Sequence, residues 1–103
     1  MSENVEKLTP KRLELLLAGF KESRGKKYRL LSLGYFGSFA GNAPSPASDV
    51  DIVFDTDAPN LFMTAMMKQD LEALLGRPVD VLQLHGLTNR RLKERIEREA
   101  VYV

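Results

Sequence analysis

The chain has no cysteine and only one histidine among its 103 residues. The lack of cysteine excludes disulfide bonds and thiolate metal sites, which agrees with a reducing cytoplasm. No stretch approaches the roughly 20 apolar residues that a membrane-spanning helix needs, and the first residues lack the basic-then-apolar order of a secretion signal. We therefore expect a cytoplasmic protein with no membrane partner.

An excess of one charge is also lacking, because 15 Lys and Arg residues oppose 14 Asp and Glu residues and leave a net charge of +1. This balance gives no electrostatic basis for general nucleic-acid binding. An apolar fraction of 44% is ordinary for a globular protein, and we expect a single domain over residues 1–103.

Two acidic residues open an apolar strand in the middle of the chain. In the segment 49–54, the alternation of residue types predicts that Asp49 and Asp51 lie on the face opposite Val50 and Ile52. Their Cα atoms would lie about 6.5 Å apart, so the two carboxylates can converge on one ion. A divalent cation would relieve their repulsion, and oxygen ligands alone favour Mg²⁺ or Mn²⁺.

A third carboxylate, Asp80, lies within a second apolar run, residues 77–84. An aspartate on a mostly apolar strand face is costly to bury without a partner. If the two strands are neighbours, Asp80 joins Asp49 and Asp51 in a triad that can hold two ions about 3.5–4 Å apart. Asp80 is then also a candidate to accept the proton of an attacking hydroxyl group.

Gly37 and Ser38 end an earlier apolar segment, residues 28–36, and ten residues separate them from Asp49. Glycine lets the backbone approach a phosphate closely, and the serine hydroxyl can donate a hydrogen bond to it. A short helix beginning at Phe39 would direct free amides at the same anion. The strand, the Gly-Ser pair and the later Asp-x-Asp together predict a phosphate-binding turn beside a metal site.

This compound pattern resembles the signature of the polymerase-beta-like nucleotidyltransferase superfamily. The short chain, the segment 74–81 and the ending 95–102 are similar to the prokaryotic minimal nucleotidyltransferases. The resemblance implies an α+β nucleotidyltransferase fold. It also implies a site with two sets of residues: Asp49, Asp51 and Asp80 as catalytic metal ligands, and Gly37 and Ser38 as nucleotide-binding residues.

The same resemblance implies a partner and a reaction. Such proteins are commonly encoded beside a HEPN-domain ribonuclease toxin, and we expect an antitoxin that transfers AMP from ATP to a tyrosine hydroxyl of the toxin, with Mg²⁺ as cofactor. Members often carry an arginine and then a glycine where this chain has Gly41-Asn42, so a candidate phosphate partner is missing. The alternative is a binding module that neutralises a toxin by complex formation. Transfer to a small molecule such as an aminoglycoside is a third, less favoured hypothesis.

The remaining sequence pattern predicts the order helix, strand, short helix, strand, helix, strand, helix around a small mixed sheet. Thr9 and the proline after it predict the start of a first helix that runs to Gly25. A second helix covers residues 60–75 and is stopped by Gly76, and the last helix starts near Thr88.

Several residues have plainer interpretations. His85 is interpreted as a surface imidazole, and the second Asp-x-Asp, at residues 55–57, as a solvated turn. The charges of segment 89–99 are interpreted mainly as a solvated helix face. The alternative is a cationic wall near the triphosphate or a docking face for an acidic partner, with Arg90 and Arg91 as the residues to test.

So short a chain has a thin core, and a partner subunit, in an oligomer or with the toxin, could cover apolar residues that remain exposed. The candidates for that contact are Phe39, Met63, Met66, Met67 and the terminal residues 101–103.

Overall fold

A computed structural model describes residues 8–41, 43–44 and 48–103. In these ranges three α-helices, four β-strands and one 3₁₀ turn follow one another: α1 (Pro10–Tyr28), β1 (Leu30–Phe36), β2 (Val50–Thr56), α2 (Leu61–Leu75), β3 (Val79–Gln83), the 3₁₀ turn (Leu84–Gly86), α3 (Arg90–Glu99) and β4 (Val101–Tyr102). The strands form one sheet in the order β3-β2-β1-β4.

The sheet contains both parallel and antiparallel pairs. Strand β1 runs antiparallel to β2 and β4, whereas β2 and β3 are parallel. The predicted α+β class with a small mixed sheet is confirmed. The parallel pair matters most for function, because it brings the starts of β2 and β3 to the same edge of the sheet.

Capping residues confirm the predicted starts of α1 and α2 and the predicted end of α2, but not the predicted end of α1. The Thr9 side chain accepts a hydrogen bond from the Arg12 amide at 3.1 Å, and the Asn60 side chain caps α2. Helix α2 ends at Gly76, whose φ of 70° is left-handed. Helix α1 does not stop at Gly25 but continues to Tyr28, since one glycine costs a helix interior only about 1 kcal/mol.

The short helix predicted from Phe39 is wrong. Residues 37–41 form a turn, in which the Gly41 amide donates to the Gly37 carbonyl at 3.0 Å and the Ala43 amide donates to the Ser38 carbonyl at 2.9 Å. Proline follows at position 44 and has no amide with which to continue a helical ladder. Asn42, which carries part of the departure from the family pattern, lies outside the described residues.

Each face of the sheet is covered differently. Helices α1 and α2 pack on the face that includes Ile52 and Phe54, where the main apolar core lies. On the opposite face, Ile96 of α3 packs with Val53 and Leu84 in a smaller cluster. Because side chains alternate along β2, Asp51 shares this second face with Val53. Helix α3 and the predicted catalytic residues are therefore on the same side of the sheet.

The solvated turn predicted at residues 55–57 is wrong for Asp55. Strand β2 extends to Thr56, and Asp55 is only 4% exposed. Its carboxylate accepts from the His85 backbone amide at 3.0 Å and lies 2.8 Å from His85 Nδ1. Asp57 is exposed as expected and pairs with Arg29 at 2.7 Å. The His85 side chain is 72% exposed, so it is a surface imidazole, as predicted, that is anchored by Asp55.

The apolar surface differs from the one expected from the sequence. Phe39 and Met67 are buried, so the expectation that these two residues contact a partner is wrong. In the described part of the chain, the large apolar side chains with the greatest exposure are instead Leu61 and Phe62, at the start of α2, with 88% and 83% exposure. Among the described residues, no helix combines the length and apolar character that crossing a bilayer requires.

Candidate functional site

The predicted site residues meet at one edge of the sheet, where β1 ends and β2 and β3 begin. Asp51 of β2 lies opposite Asp80 of β3 in the parallel pair and opposite Phe36 of β1 in the antiparallel pair. The strand order that the sequence left open therefore places the Asp80 position beside Asp51. Asp49 directly precedes β2, and Gly37 and Ser38 directly follow β1.

Gly37 lies against the carboxylate of Asp51. Its backbone φ is 73°, and a Cβ atom at this position would lie 2.2 Å from Asp51 Oδ2. Only glycine fits here without displacing the carboxylate, because a Cβ atom would overlap it and the left-handed backbone disfavours other residue types. The turn predicted to hold phosphate and the carboxylate predicted to hold metal are thus in direct contact.

Asp51 is the half-buried member of the acidic group, whereas Asp49 and Asp80 are exposed. Burial raises the pKa of Asp51, and the negative charges of Asp80 and Asp49 raise it further. The positive charge of Arg95 opposes the increase. The negative charges of Asp80 and Asp49 therefore repel the charged form of Asp51, and a bound cation would relieve that repulsion.

The acidic group is not a preassembled metal cage. Within residues 8–41, 43–44 and 48–103, no three acidic or imidazole side chains converge closely enough to hold an ion by themselves. This arrangement fits magnesium, which is usually bound by one or two carboxylates together with substrate phosphates and water. Asp51, with Asp80 or Asp49, can supply the carboxylates, and a nucleotide would supply the remaining oxygen ligands.

Arg77 connects the two halves of the site, a role that the sequence did not reveal. Its guanidinium group donates to the Ser48 carbonyl at 3.2 Å, directly before Asp49, and lies 5.6 Å from the ring centroid of Phe39. Phe39 belongs to the turn that begins with Gly37. The Arg77 side chain therefore contacts both the loop that leads into Asp49 and the turn that approaches Asp51.

A scan against protein-family models matches residues 25–103 to the family described as "Polymerase beta, Nucleotidyltransferase". Protein adenylyltransferase MntA of Thermococcus cleftensis is 33% identical over 97 residues, which cover 93% of this chain and 97% of that protein. The chain therefore belongs to the polymerase beta nucleotidyltransferase family, a family of enzymes, and the resemblance drawn from its sequence motif is confirmed.

Solved structures agree with this assignment. A structure described as a minimal nucleotidyltransferase superimposes with a TM-score of 0.79 at 28% identity. The match covers 94% of this chain and 98% of that chain. An MNT antitoxin in complex with the tri-AMPylated HEPN toxin of Shewanella oneidensis matches with a TM-score of 0.56 at 18% identity, over 82% of this chain and 69% of that one. At this identity the second match supports the fold alone.

Proposed function

We propose that this protein transfers AMP from ATP to a tyrosine hydroxyl of a HEPN-type toxin in the cytoplasm and thereby acts as its antitoxin. The observation that carries the proposal is the contact between the Gly37 turn and the Asp51 carboxylate, beside Asp80 on the neighbouring strand. The adenylyltransferase name of the Thermococcus relative and the AMPylated toxin in the Shewanella complex support the choice of reaction and partner.

In the proposed reaction, the tyrosine oxygen attacks the α-phosphorus of ATP. A new bond forms between that oxygen and phosphorus, the bond from the α-phosphorus to the oxygen that leads to the β-phosphate breaks, and pyrophosphate leaves with the bonding electron pair. Asp80 accepts the phenolic proton, because it is exposed next to Asp51 and a carboxylate can serve as a general base.

The other residues hold the nucleotide in position. Gly37 and Ser38 bind its phosphates through the turn backbone and the serine hydroxyl, and Asp49, Asp51 and Asp80 hold Mg²⁺ or Mn²⁺ together with the phosphates. The divalent ion supplies charge stabilisation at the transferring phosphoryl group. The exposed edge of the sheet leaves Asp49 and Asp80 open to an acceptor presented by another protein.

The test is incubation of the protein with ATP labelled in its α-phosphate, Mg²⁺ and the HEPN-type protein encoded beside it. We expect label on a partner tyrosine and loss of the partner's ribonuclease activity. Asp49→Asn with Asp51→Asn should abolish labelling. The matched control is Asp57→Asn, which removes one exposed carboxylate just beyond the other end of β2 and should leave labelling unchanged.

Labelling that persists in the Asp49→Asn, Asp51→Asn variant would contradict the proposed site. If no label appears with wild type, and the variant still neutralises the toxin as well as wild type does, the protein is a binding module rather than a transferase.

A further inference from the structure

Helix α3 carries its charges in two different rows. Residues three or four positions apart lie on the same side of a helix, so Arg91, Arg95 and Arg98 form one row, with Glu99 beside Arg95 as its acidic member. Arg90, Glu94 and Glu97 form a second row, of mixed sign, on another side. The apolar stripe formed by Leu92 and Ile96 lies on a third side of the helix and faces the sheet.

The packing of α3 places it beside the acidic edge. Ile96 is fully buried against Val53, with Phe36 and Leu82 packed around the same cluster. Val53 follows Asp51 by two residues, and Leu82 follows Asp80 by two residues. Side chains two positions apart on a strand share a face. The apolar cluster under α3 therefore continues directly into the carboxylates on that face.

Strand pairing places the C-terminal end of α3 at the acidic edge, because Val101, two residues after α3, pairs with Tyr35, and the next residue, Phe36, pairs with Asp51. Two electrostatic effects agree with this placement. The charge of Arg95 lowers the pKa of Asp51 and so opposes the larger effects of burial and the neighbouring carboxylates. The charge of Glu97 raises the pKa of Tyr102, although burial and Asp55 contribute more there. Arg95, near this end of α3, therefore lies toward Asp51, and Glu97 lies toward Tyr102 of β4. Arg90, which the sequence suggested as a candidate, belongs to the mixed row.

Arg95 is available to a ligand. Its side chain is 63% exposed, and its protein partner is Glu99, four residues later, at 3.4 Å. Exposed pairs at this spacing contribute little to stability, so a polyphosphate can replace Glu99 as the partner of Arg95. A nucleotide with several negative charges must enter an edge that already holds three carboxylates. An arginine at that edge can offset the repulsion and donate two parallel hydrogen bonds to phosphate oxygens.

We propose that Arg95 binds the β- and γ-phosphates of the nucleotide, the part of ATP that leaves as pyrophosphate. The inference rests on the proposed function, because it assumes that a nucleoside triphosphate occupies the acidic edge. Arg95 is then the cationic group that distinguishes a triphosphate from a monophosphate. Arg91 and Arg98, in the same row, add to the positive potential but need not touch the phosphates.

The test is calorimetric titration of wild type, Arg95→Gln and Arg90→Gln with a non-hydrolysable ATP analogue in Mg²⁺, and with AMP in parallel. Arg95→Gln should weaken binding of the ATP analogue by about tenfold or more, because a charge-assisted contact is lost, and should leave AMP affinity unchanged. Arg95→Lys should recover part of the loss. Arg90→Gln removes the same charge from the mixed row and should behave like wild type.

Equal affinity of wild type and Arg95→Gln for the ATP analogue would overturn the inference while leaving the proposed function intact. Equal losses for the ATP analogue and for AMP in Arg95→Gln would also overturn it, since they would indicate a general disturbance of the site. If wild type itself binds no nucleotide, both this inference and the proposed function fail. Thermal melts of the variants verify that each remains folded.

Discussion

Among single residues, Gly37 is the position where backbone conformation and site chemistry depend on each other most closely. Replacing it with alanine would place a methyl group against Asp51 Oδ2 and strain a backbone with φ of 73°. We expect Gly37→Ala to reduce AMP transfer by at least about 100-fold, because small displacements of groups around a reacting centre have effects of this size. Transfer of labelled AMP measures the effect.

The control for this substitution is Gly76→Ala at the end of α2. Gly76 has nearly the same φ, 70°, but a Cβ atom there would meet no other atom within 4 Å. Both variants should lose about 1–2 kcal/mol of stability from the left-handed backbone, yet only Gly37→Ala should lose activity. Equal activities of the two variants would show that the contact with Asp51 has no catalytic importance.

Tyr28 and Asp70 form a second interacting pair, outside the acidic group of Asp49, Asp51 and Asp80. The buried Tyr28 hydroxyl donates to the Asp70 carboxylate, which also pairs with Arg24 at 2.7 Å. Burial, with the Asp70 interaction, raises the pKa of Tyr28 to about 12. The Tyr28 hydrogen bond, with smaller contributions from Arg24 and Lys27, lowers the pKa of Asp70. Each group therefore ionises at a different pH in the folded and unfolded chains.

These shifts predict how the stabilising effect of the pair depends on pH. Asp70 has a lowered pKa when folded, so its contribution is present above about pH 4 and is lost as the pH falls through the folded value. Tyr28 has a raised pKa, so its contribution is present below about pH 10 and is lost as the pH rises through about 12. We expect Tyr28→Phe to cost about 1–2 kcal/mol at pH 7, and less at pH 2 and pH 12.

Denaturant unfolding of wild type and Tyr28→Phe across this pH range measures the difference. Arg24→Gln is the matched comparison, because it removes the exposed ion pair and leaves the tyrosine hydrogen bond in place; it should cost less than Tyr28→Phe. A difference between wild type and Tyr28→Phe that stays constant from pH 2 to pH 12 would contradict the pairing.

At the element scale, the loop before β3 holds the site together through Arg77. We expect Arg77→Met, which keeps most of the apolar stem but removes the guanidinium, to lower kcat for AMP transfer by about 10- to 100-fold. The physical reason is that the Ser48 carbonyl loses its donor and the Phe39 turn loses its covering cation. Steady-state kinetics with varied ATP measure kcat and KM separately.

Arg77→Lys provides the control for this element. Lysine keeps the positive charge over Phe39 but lacks the planar fork, so it should restore part of kcat. If Arg77→Met lowers only the free energy of unfolding and leaves kcat unchanged, the side chain stabilises the fold without positioning the site.

Strand β4 is an element that the sequence pattern could not indicate. It has only two residues, too few for a periodic pattern, and was not predicted. It pairs opposite Gly34, where a Cβ atom would lie 2.5 Å from the Val101 carbonyl oxygen. That glycine is needed for a contact more than sixty residues away along the chain, which no local pattern indicates.

At the scale of the whole molecule, the elements set by local chemistry were predictable. The caps at Thr9 and Asn60 and the stop at Gly76 depend on neighbouring backbone groups. The alternation of residue types along β2 indicated that Asp51 lies on the face opposite Ile52. The motif spacing identified the five site residues as candidates, and their roles as nucleotide and metal ligands remain predictions.

What the sequence did not reveal depends on the packing of distant segments. The parallel pairing of Asp51 with Asp80 follows from the strand order, which composition does not encode. Burial of Asp55 depends on the 3₁₀ turn after β3, whose His85 satisfies the carboxylate. The orientation of α3 depends on how Ile96 packs on the sheet, and this orientation makes Arg95 rather than Arg90 the candidate phosphate-binding residue.

The proposal depends above all on a divalent ion that binds with the nucleotide at this edge of the sheet, held by Asp51 together with Asp49, Asp80 or both. Its most direct test is a crystal structure of the protein with a non-hydrolysable ATP analogue and Mn²⁺, in which anomalous scattering locates the ion. We predict an Mn²⁺ peak within coordination distance of Asp51, of at least one of the other two carboxylates, and of the phosphates. A nucleotide bound without such a peak, or a peak at a different group of residues, would contradict the account.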